Sequence, residues 1–132
     1  MKRLVMIAGT ALLALTVSAS AEGDVDKGEK VFKKCKACHA VGPDAKNKVG
    51  PELNGIVGRK VASIEDFKYS PAMKEFAEGD KVWTDEILHT YLEKPKDLVP
   101  KTKMAFAGLK KEKDRDDIIA YLAQFNEDGS TK

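Results

Sequence analysis

Apolar residues fall into a few short groups along this chain, and their spacing differs from group to group. The first, Leu4 to Val17, is apolar apart from Gly9, Thr10 and Thr16 and shows no periodicity. Lys2 and Arg3 precede it and Ala19-Ser20-Ala21 follows. A run of about 14 residues is short of the roughly 20 that a spanning helix needs. A basic start, an apolar middle and a small-x-small end describe a secretory leader. Cleavage is expected after Ala21, so that residues 1–21 are removed and residues 22–132 form a single domain.

The later groups have helical spacing. Val25, Val31 and Phe32 make a partial stripe with Gly28 among them, which predicts a first helix over 24–34. Ser70-Pro71 reads as an N-cap followed by proline at the first helical position, opening a short helix to about Phe76. Thr84 before Asp85 and Glu86 is another helix start, with Ile87, Leu88, Tyr91 and Leu92 as its apolar face and Pro95 at its end. A last helix is expected over 112–125, acidic at its start and buried through Ile118, Ile119, Tyr121, Leu122 and Phe125. Between these, 40–68 is broken by Gly42, Pro43, Gly50, Pro51, Gly55 and Gly58, and 95–108 also reads as loop. No strand shows convincing alternation. The class is all-α, and loops this long in so small a domain need something to wrap around.

Composition changes this picture in one respect. Losing Lys2 and Arg3 from the 23 basic residues leaves 21 against 21 acidic ones, so the exported protein is nearly neutral. A neutral balance argues against nucleic-acid binding, and no later stretch is apolar enough to span a membrane.

The chemistry centres on Cys35-Lys36-Ala37-Cys38-His39. C-x-x-C-H is the attachment pattern for c-type haem: the thiols can add to the two vinyl groups on one porphyrin edge, and the adjacent His can donate to the iron. Export agrees with this, because c-type haem is attached outside the cytoplasm. Three other readings compete. A Cys35–Cys38 disulfide would close a very short loop and stabilise little. A thioredoxin-like redox pair needs a βαβ setting that the pattern lacks. Zinc could draw on Cys35, Cys38, His39 and His89, but consecutive Cys38 and His39 are awkward for a tetrahedral site. His89 also lies off the apolar face of its helix, as a solvated surface histidine would.

A haem iron held by one His keeps an open position, and what fills it decides the function. A thioether there favours electron transfer. Met73 and Met104 survive cleavage, and Met104, in the loop Pro100 to Phe106, is the favoured ligand. Met73, at the start of a short helix, is read as gap-filling.

With these residues assembled, the chain resembles class I cytochrome c, especially the bacterial periplasmic members most similar to the mitochondrial protein. The likeness covers Gly28 with Phe32, CKACH, Val49-Gly50-Pro51-Glu52-Leu53, Gly58-Arg59-Lys60, Phe67-Lys68-Tyr69, Trp83, Tyr91-Leu92, Pro95, KTKMAFAGLKK and Ile118 to Leu122. The resemblance implies four to five helices and long loops around one covalent haem c, with His39 and Met104 as axial ligands. It implies that Pro51 orients His39, that Arg59, Tyr69, Trp83 and Thr102 serve the propionates, that Tyr91 lies near the Met104 sulfur, and that Phe106 flanks the exposed haem edge. Met73 departs from the family pattern, which often has a small polar residue there, and leaves a spare thioether near the cofactor.

The function implied is a monomeric, soluble periplasmic electron carrier and not an enzyme. It would take electrons from a cytochrome bc-type complex and pass them to an oxidase, a photosynthetic reaction centre or a periplasmic reductase. Lys33, Lys34 and Lys36 flank the first thioether, Lys94, Lys96, Lys101 and Lys103 bracket the methionine loop, and Lys110, Lys111 and Lys113 follow. They predict a positive ring for acidic membrane complexes to dock on. The alternative function is a haem peroxidase or ligand-binding haem protein with a displaceable sixth ligand.

Overall fold

The computed structural model describes Gly9 and residues 23–132. The leader expected over 1–21 lies, Gly9 aside, outside the described residues. Among those described, no helix is long and apolar enough to cross a membrane.

Helix α1 runs Val25–Phe32 and begins where Asp24 caps it, accepting from Lys27 N at 3.1 Å. It ends at Phe32 and not at Lys34 as expected. Beyond that point Lys33, Lys34 and Cys35 bond three residues back, to Lys30, Val31 and Phe32. That tighter turn ends the helix and leads directly into the cysteine motif.

Helix α2, Pro71–Phe76, starts as expected, with Ser70 Oγ accepting from Met73 N at 3.1 Å. Helix α3, Asp85–Glu93, starts at Thr84, whose Oγ1 accepts from Ile87 N at 3.1 Å. Pro95 ends it and also opens a further single turn, α4, Pro95–Leu98, within the expected loop. Lys94 is extended at φ −156°, and the fixed φ of proline then suits a first helical position. Helix α5, Glu112–Leu122, is shorter than expected. Gln124 and Phe125 bond three residues back, to Tyr121 and Leu122, and the chain then turns.

The all-α expectation holds, with five helices and only two isolated β-bridges among the described residues, Lys60 with Val82 and Phe125 with Thr131. Helices α1 and α5 form the main helix–helix contact. They approach closely because Gly28 has no side chain: a Cβ there would run into the Asp117 carbonyl. Phe32 and Tyr121 pack at the crossing with ring centroids 5.5 Å apart. Asp117, 2 % exposed, accepts from Asp24 N at 2.8 Å and from Lys113 Nζ at 2.6 Å, tying the start of α1 to α5. Burial would raise the pKa of this carboxylate, but the bonds from Asp24 and Lys113 outweigh that and hold it below the ordinary value.

The remaining core joins α3, α5 and the loops through Ile56, Val61, Trp83, Leu88, Tyr91, Val99, Leu109, Ile118, Ile119 and Leu122. Each fully buried aliphatic side chain of this kind contributes about 1.5–3 kcal/mol relative to exposure.

Candidate cofactor site

The end of α1 sets the position of the cysteine motif. Cys38 N donates to Cys35 O at 3.0 Å and His39 N to the same carbonyl at 2.9 Å, so Cys35 to His39 form one tight turn. Neither cysteine is in a disulfide. Burial pushes the Cys35 thiol up to about 11, with Lys34 opposing and Cys38 adding to the rise. A reactive thiolate of the thioredoxin kind would need the opposite shift.

His39 is held from the side. Its Nδ1 lies 2.7 Å from Pro51 O. A carbonyl can only accept, so Nδ1 carries the proton and Nε2 keeps a lone pair for a metal. Gly50 makes the approach possible, since a Cβ there would collide with the imidazole ring. Burial holds the His39 pKa below its ordinary value, against a smaller opposing effect of the Pro51 bond, so the ring is neutral at neutral pH.

The loop after α4 carries the candidate thioether. Thr102 N donates to Val99 O at 3.0 Å and Met104 N to Thr102 Oγ1 at 3.2 Å. Tyr91 Oη, from α3, reaches Met104 Sδ at 3.8 Å. Burial raises the Tyr91 pKa, which keeps the phenol a donor. Trp83 is 6 % exposed and packs in tilted contacts on Tyr91 at 5.0 Å and on Phe76 at 5.8 Å. Phe106 and Met73 are half-buried and pack against the core. Met73 lies on α2 at the Ser70 cap.

Arg59 is 8 % exposed. Its Nη1 donates to Glu52 O at 3.0 Å and Asn54 O at 2.9 Å, and lies 3.5 Å from Glu52 Oε1. Its Nε is buried with no hydrogen-bond partner among the described residues. An orphaned buried guanidinium N–H is costly unless an acceptor meets it. Tyr69 Oη accepts from Ile64 N at 3.1 Å and can still donate its own proton. Lys33, Lys36, Lys96, Lys101, Lys103 and Lys110 are all exposed.

Two residues of this framework escaped the sequence reading. Arg115, 9 % exposed, donates from Nη1 to Leu109 O at 2.7 Å and Lys110 O at 3.0 Å, fixing the end of the methionine loop to α5. Asn54, 5 % exposed, bonds Gly42 through both ends of its amide, at 2.8 and 2.9 Å. Arg115 had a signal, since it stands one helical turn before Ile118 and Ile119. Asn54 had none, because its partner is 12 positions away in a loop. His89 is a correction: it is half-buried and its Nε2 lies 3.1 Å from Asp116 Oδ1, bridging α3 and α5 where a solvated histidine was expected. Among the described residues no group of three or more His, Cys, Asp or Glu is placed to hold a metal ion.

The cytochrome c family model matches residues 25–126. This chain belongs to the cytochrome c family. It is 63 % identical over 105 residues to cytochrome c-550 of Ancylobacter novellus, covering 79 % of this chain and 97 % of the relative. It is 55 % identical over 105 residues to cytochrome c2 of Afifella marina, covering 80 % and 85 %. The solved structure of cytochrome c2 from Rhodospirillum centenum superposes with a TM-score of 0.74 at 42 % identity, covering 79 % of this chain and 99 % of that one.

The cofactor of this cytochrome c is one covalently attached haem c. The residues present fit it. Two cysteines stand free beside a histidine whose Nε2 is available, a thioether is anchored by Tyr91, and the orphaned Arg59 Nε offers a buried donor for a propionate.

Proposed function

We propose that this cytochrome c is exported by a leader cleaved after Ala21 and works as a monomeric periplasmic carrier of single electrons between membrane complexes. In this reading Cys35 and Cys38 would hold the haem covalently, and His39 and Met104 would bind its iron. Arg59, Tyr69, Trp83 and Thr102 serve the propionates, and Phe106 flanks the exposed edge. Haem c supplies one-electron chemistry, its iron alternating between ferric and ferrous.

What supports the reading is the Tyr91–Met104 contact at 3.8 Å, taken together with the His39–Pro51 contact at 2.7 Å. Each candidate ligand has a partner that orients it, Pro51 for His39 and Tyr91 for Met104, which would favour a ligand set that rearranges little. Trp83 and Tyr91 are both buried, with ring centroids 5.0 Å apart. The exposed lysines around the cysteine motif and the methionine loop would steer an acidic partner. The donor would be a cytochrome bc-type complex, and the acceptor an oxidase, a reaction centre or a periplasmic reductase.

Absorption spectra of the haem-loaded protein, with and without added cyanide, test this. A low-spin spectrum with the methionine-to-iron band, lost in Met104→Ala and kept in Met73→Ala, is expected. A high-spin spectrum with fast cyanide binding would overturn it in favour of a peroxidase or ligand-binding protein.

A further inference from the structure

The family match ends at Asn126, and the residues after it fold back onto the domain. Phe125 and Thr131 pair antiparallel. Asn126 N donates to Ser130 O at 2.8 Å, Gly129 N to Asn126 O at 2.9 Å and Lys132 N to Gln124 O at 2.8 Å. Asp128 closes the turn, accepting from Ser130 N at 2.9 Å and Ser130 Oγ at 2.6 Å.

Within this turn Gly129 is buried, while Glu127, Asp128 and Ser130 are exposed. Gly129 has φ +86°, and a Cβ there would run into the Gly42 carbonyl. Next to it, Glu127 lies against Gly55, where a Cβ would meet Glu127 Cγ at 2.6 Å. Gly55 N also donates to Phe125 O at 3.2 Å.

Gly42 and Gly55 belong to the loop that carries Pro51. Asn54 bonds Gly42 at 2.8 and 2.9 Å, and Leu53 N donates to Ala40 O at 2.9 Å. These bonds close a ring of chain from Ala40 to Asn54, and His39 and Pro51 meet at its inner end. Gly129 packs on the backbone of Gly42 and Pro43, next to the Asn54 bonds that close this ring.

We propose that residues 127–132 are a clip that positions His39, with Gly129 as its key residue: by packing on Gly42 through Gly129 and on Gly55 through Glu127, it holds closed the loop that brings the Pro51 carbonyl to His39 Nδ1. Without the clip the loop opens more often, and the Nδ1–H bond opens with it. The coupling of clip to His39 is a property of the chain. Its relevance to the iron rests on His39 being the axial ligand.

The test is solvent exchange of the His39 Nδ1 proton, followed by NMR in the ferrous, haem-loaded protein. Two variants loosen the clip, truncation after Asn126 and Gly129→Ala. Ile118→Val, in the α5 core, serves as a control that lowers stability elsewhere. Exchange about tenfold faster in both clip variants, and unchanged in the control, is expected. Should the truncated chain fail to take up haem, Gly129→Ala decides alone. Unchanged exchange in the clip variants, or acceleration no greater than in the control at equal loss of stability, overturns the proposal. The absorption spectrum of the unaltered protein reports separately whether His39 and Met104 ligate the iron, so failure of that reading is distinguishable from failure of the clip.

Discussion

Replacing Gly28 by alanine opposes two effects whose sizes can be compared. In an exposed helix interior the change stabilises by about 1 kcal/mol, because glycine loses more backbone entropy on folding. Here Gly28 is buried at the crossing of α1 and α5. The new Cβ would run into the Asp117 carbonyl and lie 2.7 Å from Tyr121 Cβ. Neither is the free end of a flexible side chain, so one helix must move. Overpacking costs about 1–3 kcal/mol, and a clash with backbone belongs at the upper end. Moving α1 also disturbs the Phe32–Tyr121 contact and the Asp24–Asp117 bond. The net expectation is a loss of about 2 kcal/mol. For a domain of this size each kcal/mol lowers Tm by about 4 °C, so Gly28→Ala should melt about 8 °C lower. Thermal unfolding of the haem-loaded protein, followed by far-UV circular dichroism, measures it. An unchanged or higher Tm would refute the close-crossing explanation, since helix propensity would then have outweighed the contact.

Asp117→Ala removes the acceptor of Asp24 N and Lys113 and should destabilise by about 2 kcal/mol at neutral pH, measured by denaturant unfolding. The folded-state pKa of Asp117 is depressed, so its contribution is complete above the unfolded value near 4 and is lost as pH falls through the folded value. The gap between the two proteins should therefore narrow below about pH 4, and a gap that widens there would contradict the linkage. Electron transfer to an acidic partner, followed by stopped flow, should slow as ionic strength rises, and more weakly so in Lys96→Glu or Lys103→Glu. A rate independent of salt would remove the docking role of the lysine ring.

Much of this protein follows from local sequence. Asp24, Ser70 and Thr84 cap helices because an oxygen on a short side chain reaches the N–H three residues on, and that needs no tertiary partner. The haem-attachment motif is equally local, since two thiols and an imidazole within five residues carry their chemistry in their spacing. Lengths of helices were less legible. α1 stops before Lys34 and α5 before Phe125 because turns after each of them serve contacts elsewhere, in the cysteine motif and the Gly129 clip. Tertiary structure alone decided which groups meet across long separations. It set Asp117 against Asp24, 93 positions away, His89 against Asp116, and Asn54 against Gly42. Such pairings depend on how helices cross and loops close, which no periodicity encodes. The proton on His39 Nδ1 is of the same kind: the sequence names the residue, but only the Pro51 carbonyl 2.7 Å away decides which nitrogen is left to donate.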